Sequence, residues 1–207
     1  LRFLPQNCHP IAQGAAMCCD SAHKTLPVVT GGAYLHLAHD APVQDEAAVR
    51  GALALFGSTS PSYLILQSLD ACNAVLAGDY PRRLAQCCAA LEGLRRSLNK
   101  AAAARQCSVP LAVAGAQQEP MKLTLDAAAL GCTGTALAES LRRAQMECEY
   151  ADPRYVVLMF TPENPPQDFE RLQTALEQLL AAVPAGLPRP ENRAGEFAAL
   201  QQQAVQR

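Results

Sequence analysis

The feature that most constrains this chain is a change of hydrophobic period that occurs twice along it. Residues 15–20 and 33–37 are short, near-continuous apolar runs of strand length, the pattern of strands covered on both faces of a sheet. A polar stretch and the turn Thr30-Gly31-Gly32 separate them. The period then becomes helical over 43–56, where Val49, Leu53 and Phe56 recur at four and three. Ser60-Pro61 reads as the start of a second helix, with serine to cap the free amides and proline in the first turn. Its apolar positions Leu64, Leu66, Leu69, Val75 and Leu76 continue to Gly78. Asp79-Tyr80-Pro81 opens a third helix by the same chemistry, running past Leu84, Leu91, Leu94 and Leu98 to the alanines at 101–104.

Near Gln106 the period changes again. Pro110, Gly115 and Pro120 interrupt the chain, and 121–126 alternates, Leu123 and Leu125 against Lys122 and Thr124, as a half-buried strand does. A helix is expected over 133–144, a short strand over 147–150 and an apolar strand over 155–160. Asn164-Pro165-Pro166-Gln167 opens a helix carrying Phe169, Leu172, Leu176, Leu179 and Leu180, with Asn164 as the cap. The chain therefore reads as α/β in two pieces with a Pro-, Gly- and Gln-rich tail. The second piece is complete as a pattern, whereas two strands make a poor sheet alone, so the first is expected to belong to something larger.

Composition narrows the partners. Half of the 207 residues are apolar and 17% are charged, and 17 Lys and Arg against 19 Asp and Glu leave a net charge of −2. That balance, with no basic run, argues against nucleic acid or an anionic membrane as a partner. No apolar stretch approaches the roughly 18 residues of a membrane span. The opening Leu1-Arg2-Phe3-Leu4-Pro5 lacks the apolar run and cleavage site of a signal peptide, so a cytoplasmic location is expected. The nine cysteines, odd in number, with two adjacent pairs and no Cys-x-x-Cys, fit neither a disulfide framework nor a zinc site. Most are expected to pack as small apolar groups. Cys8 with His9 is a poor nucleophile and base, because adjacent side chains rarely face one another.

The stretch most able to carry chemistry is Asp20-Ser21-Ala22-His23-Lys24-Thr25-Leu26-Pro27, at the end of a strand and before a glycine turn. If the chain stays extended there, Ser21 and His23 project to one side and Lys24 to the other, which suits an anionic cofactor held near a carbonyl. Spacing alone favours a polar strand end with a solvated lysine. His36 and His39 flank the second strand with no carboxylate or cysteine spaced for a metal and read as packing or surface residues. Glu147, Glu149 and Asp152 read as a strand edge, or as an acidic cluster facing a cationic side chain. Arg95-Arg96 and Arg142-Arg143 read as exposed helix faces.

Ser21-Ala22-His23-Lys24-Thr25-Leu26 resembles the lysine motif, Ser-x-His-Lys, of the ornithine/lysine/arginine decarboxylases. The similarity continues through GGAYLHL at 31–37, FGSTSPSY at 56–63 with Leu69-Asp70 beyond it, PMKLTL at 120–125, 131–141 and YVVLMFT at 155–161. It thus extends to about residue 183. The resemblance implies pyridoxal 5'-phosphate as cofactor and part of a fold-type-I (aspartate aminotransferase-like) large domain over 1–105, with a small α/β domain over 106–185 and a tail over 186–207. It makes Lys24 the catalytic, Schiff-base lysine. Ser21 and His23 would contact the cofactor phosphate, and Ser58 and Thr59 would reach a phosphate across a homodimer or higher homo-oligomer interface. A free lysine amine is a poor nucleophile at neutral pH, so burial and neighbouring cations would have to activate it. The implied reaction is decarboxylation of lysine, ornithine or arginine to an amine and carbon dioxide, the cofactor serving as electron sink.

The family's N-terminal half has no counterpart here, including the Asp-x-Ala-His segment whose aspartate pairs with the pyridine nitrogen. A C-terminal portion with little or no activity of its own is the resulting expectation. An aminotransferase or lyase of the same fold, and a non-catalytic relative serving assembly, remain the alternatives.

Overall fold

The computed structural model describes residues 7–43, 45–58, 60–115 and 119–184. These form two compact units: one is made of the described residues up to Ala90 together with Phe160–Asn164, the other of Leu91–Met159 and the described residues from Pro165 onward. The tail expected at 186–207 lies outside the described residues.

In the first unit, β1 (Met17–Ser21) and β2 (Ala33–Leu37) pair antiparallel as a two-stranded ribbon, with Cys18 opposite His36 and Asp20 opposite Tyr34. Three helices follow: α1 (Glu46–Phe56), α2 (Tyr63–Ala77) and α3 (Tyr80–Ala104), whose start lies in this unit and whose later turns lie in the second. The expectation of a sheet covered on both faces is not met among the described residues. Odd positions of both strands are exposed, Met17, Leu35 and Leu37 among them. The apolar stripe of α1 is uncovered as well: Leu53, Leu55 and Phe56 are exposed, and no residue of the helix is buried. A two-stranded ribbon has too little surface to cover three helices. What core exists is small, formed by Ala22, Ala38, Ala41, Cys72, Tyr80, Leu84, Cys87 and Phe160.

The second unit closes on itself. Strands β3 (Lys122–Asp126), β4 (Tyr150–Ala151) and β5 (Tyr155–Met159) form an antiparallel sheet in the order β3-β5-β4, with α4 (Gly134–Arg143) on β5 and β4. Leu123, Leu125, Val156 and Leu158 supply one apolar face. Leu137 and Leu141 of α4, Leu91, Leu94 and Leu98 of α3, and Leu172, Leu176 and Leu180 of α5 (Pro166–Ala182) are buried with them. The repeats at four along α4 and α5, and at three and four along α3, are those of helices with one apolar stripe. Arg105 donates to the carbonyls of Ala181 and Val183 at the end of α5, and Asn99 makes two bonds of 2.8 Å with the backbone of Ala112. Buried Asp126 pairs with Arg154 and accepts from the Ala128 amide.

Several local expectations are corrected. Helix α2 starts at Tyr63 rather than Ser60: the Ser60 amide donates to Ser58 Oγ, and proline at 61 suits a turn as well as a first helical turn. Asn164 does not cap α5; its Oδ1 accepts from the Thr161 amide, closing the preceding turn, and Pro165 occupies the cap. The short strand expected at 147–150 forms at Tyr150–Ala151. Arg95 is buried, donating to Glu92 and to the Lys122 carbonyl, while Arg96 is exposed. Only Cys72 and Cys87 of the nine cysteines are buried, and none forms a disulfide. No helix among the described residues is long and apolar enough to cross a membrane.

Candidate active site

The Ser-x-His-Lys stretch sits where β1 ends, as its position after an apolar run implied, but the chain does not stay extended. Ser21 is the last residue of the strand and Ala22–Lys24 fold into a 3₁₀ turn. The Ala22 amide donates to the Gly32 carbonyl at 3.0 Å, and the Leu26 amide donates back to Ala22 at 2.9 Å. Alternation is lost at that turn, so the two-sided placement of Ser21 and His23 against Lys24 does not arise. Instead Ala22 is buried as the anchor, Ser21 and Lys24 are exposed and His23 is half-buried.

Helices hold the loop that follows. The Tyr80 hydroxyl donates to the Thr25 carbonyl at 3.3 Å, and the Val29 amide donates to Ser68 Oγ at 3.2 Å. Tyr34 Oη donates to the Leu69 carbonyl at 2.7 Å. Burial, then Cys72 and Asp70, pushes the Tyr34 hydroxyl up to about 12, so it remains a donor at neutral pH. Gly31 has φ of +98°, a left-handed backbone that favours glycine, and a Cβ on Gly32 would run into the Val28 side chain. The glycine pair thus serves the tight return into β2.

His23 Nδ1 lies 3.1 Å from the Gly32 carbonyl. A carbonyl only accepts, so Nδ1 carries the proton, and any ligand contact of this ring goes through Nε2. A hydroxyl, an imidazole and a primary amine within one turn form a donor set that fits an anionic phosphate beside an aldehyde carbon. Ser58 lies in a separate segment, the α1–α2 connection, exposed and bonded to the Ser60 amide. Thr59 lies outside the described residues.

Two of the three acidic residues are engaged within the chain. Glu147 pairs with Arg142, and Asp152 Oδ1 accepts from the Arg154 and Tyr155 amides in the turn before β5. Arg142 and Arg143 are exposed and paired with Glu139. A different group was missed in the sequence. His36 does have a carboxylate partner: its Nε2 lies 3.1 Å from Asp20 Oδ2, and His9 Nε2 lies 2.8 Å from the same oxygen. Antiparallel pairing of β1 and β2 puts Asp20 and His36 on one face. The shared parity of 18, 20, 34 and 36 was the available signal, and the assumption of a doubly covered sheet concealed it.

Comparison with known proteins bears on most of the chain. Residues 5–167 match the family described as Orn/Lys/Arg decarboxylase, major domain. Two curated relatives come from Bacillus subtilis strain 168. An uncharacterized protein, YaaO, is 33% identical over 153 residues, covering 72% of this chain and 30% of its own length. An arginine decarboxylase is 28% identical over 170 residues, covering 80% of this chain and 34% of its own length. The chain thus spans about a third of the length of these relatives. Among solved structures, the Escherichia coli constitutive lysine decarboxylase superposes with a TM-score of 0.63 at 18% identity, over 84% of this chain and 31% of that one. The Francisella novicida lysine decarboxylase LdcF gives 0.62 at 19%, over 77% and 27%. The α/β fold is shared with these enzymes, and the chain belongs to the Orn/Lys/Arg decarboxylase family.

Proposed function

We propose that this chain is the lysine-bearing part of a pyridoxal-phosphate-dependent decarboxylase acting on a basic amino acid: lysine, ornithine or arginine. The observation that carries the reading is the turn at the end of β1, which presents Ser21, His23 and Lys24 together while Ala22 and the Gly32 carbonyl hold it. Lys24 would supply the primary amine that bonds the cofactor aldehyde. Ser21 Oγ and His23 Nε2 would bind phosphate oxygens, His23 being oriented for this by its Nδ1 bond to Gly32. Pyridoxal phosphate, when bound, supplies an electron sink for the charge left on the α-carbon as carbon dioxide departs.

Residues 1–105 would belong to the cofactor-binding large domain and 106–185 to a small α/β domain. A homodimer or higher homo-oligomer would let Ser58 and Thr59 reach a phosphate across the interface, and the setting would be cytoplasmic. Exposure of Lys24 within this chain favours low activity by the chain alone, since water would enter a site that the chemistry requires dry.

The test is reduction of the chain with borohydride in the presence of pyridoxal phosphate, followed by peptide mapping. The expected adduct falls on Lys24 in preference to Lys100 and Lys122, and it weakens in the Ser21→Ala and His23→Ala chains. Equal labelling of the three lysines, or none, refutes the site. Release of a keto acid rather than an amine from the basic amino acid would replace decarboxylase by aminotransferase.

A further inference from the structure

Three side chains distant in sequence converge on the half-buried face of the β1–β2 ribbon. His9 arrives from the residue before a 3₁₀ turn at Pro10–Gln13, Asp20 from β1 and His36 from β2. Both imidazole Nε2 atoms point at one carboxylate oxygen, at 2.8 and 3.1 Å, and the rings stand edge to face with centroids 5.1 Å apart. The three ligand atoms lie within 4.8 Å of one another. Cys18 Sγ sits beside them, 3.8 Å from His9 Nε2 and from both Asp20 oxygens.

We propose that His9, Asp20 and His36 form a binding site for a divalent transition-metal ion, with zinc as the probe, and that the ion fastens residues 7–14 to the ribbon. Two imidazoles and a carboxylate are donors that zinc and its neighbours accept readily. Around a tetrahedral ion with bonds of about 2.0–2.1 Å, donor atoms stand about 3.3 Å apart. The two His–Asp pairs therefore need to part by only a few tenths of an ångström, and the two imidazole nitrogens, which lie within 4.8 Å, need to close by no more than about 1.5 Å, a movement that side-chain rotation supplies.

Without metal, the His9 Nδ1 accepts from the Ile11 amide at 3.3 Å, so its proton is on Nε2 and is given to Asp20. Coordination through Nε2 moves that proton to Nδ1 by way of solvent, and the long Ile11 bond is the one given up. The ribbon has a use for such a clasp. Among the described residues 7–37 only Ala22 and Gly32 are buried, too little apolar burial to fix this segment.

The experiment is zinc binding by the full chain, stripped with chelator, in a Cys8→Ser/Cys19→Ser background that removes the two exposed thiols. One zinc per chain is expected there. His9→Ala and His36→Ala, each checked for native far-ultraviolet dichroism, are expected to weaken it by at least about tenfold, or ~1.4 kcal/mol. Amide exchange over 7–14 gives a reading on the parent chain that needs no variant: zinc is expected to slow it. No zinc retained in the Cys8→Ser/Cys19→Ser background, histidine variants that bind like their parent, or exchange unchanged by zinc each overturn the proposal.

Discussion

Asp126 offers the sharpest test of how the second unit is held together. Its side chain is 7% exposed and does two things at once. Oδ1 accepts from the amide of buried Ala128 at 3.1 Å, and the carboxylate receives Arg154 Nη2 at 2.7 Å and Nε at 3.1 Å. Asp126→Ala removes both. A buried amide left without a partner costs about 1–3 kcal/mol. Removing one member of a fully buried ion pair costs about 3–5 kcal/mol, but the Arg154 side chain is 45% exposed and can return to water, which cuts its share to about 1–2 kcal/mol. The sum is about 2–5 kcal/mol.

Asp126→Asn keeps the Oδ1 acceptor for Ala128 but puts an N–H donor where Oδ2 receives Arg154 Nη2 and Nε, so it should lose the Arg154 share, about 1–2 kcal/mol. Combined with Arg154→Met in a double-mutant cycle, it should show a coupling of similar size. The chain has no tryptophan, so the readout is hydrogen exchange of the β3 and β5 amides followed by mass spectrometry through a urea series. Equal losses for Ala and Asn would show that the Ala128 bond contributes nothing. A coupling below about 0.3 kcal/mol would show that Asp126 and Arg154 act independently, and the account of this corner would be wrong.

Two further perturbations follow from the same structure. Gly134→Ala places the better helix former at the first position of α4, worth up to about 1 kcal/mol in an open helix. Here the added Cβ would meet the carbonyl oxygens of Asp152 and Tyr155, backbone that cannot step aside, so a lower urea midpoint is expected and a higher one would contradict the packing. Burial pushes the Cys87 thiol up to about 11 and the Tyr80 hydroxyl, also buried, up to about 12. A group held protonated in the fold stabilises it fully below the pKa it has when unfolded, and that contribution is lost as pH rises through the folded value. Stability should therefore decline above about pH 9 and through pH 11, while Cys87 alkylates far more slowly than exposed Cys8 and Cys19 at pH 8. Urea midpoints that are flat to pH 11, or equal alkylation rates, would count against a buried thiol.

The legible and illegible parts of this protein divide by the range of the forces involved. Alternation at 121–126 located β3, and the leucines of α3 and α5 located helices whose buried stripes match the spacing. These patterns survive because each element in the second unit has a partner to bury its apolar face. The same kind of pattern in α1 and in the two early strands located the elements but not their burial, since nothing among the described residues covers Phe56 or Leu35. Caps depend on which acceptor lies nearest a single amide. They failed at Ser60 and Asn164, where a neighbouring turn offered a nearer partner.

The family motif, the order of strands and helices, and the place of Lys24 at a strand end are all carried by contiguous residues and could be read without a fold. Contacts between distant segments set the 3₁₀ turn of the motif against Gly32, the burial of Arg95, and the meeting of His9 and His36 at Asp20. Each of those depends on which strand pairs with which and in what register, a choice made by packing between segments and written in no single stretch of the chain.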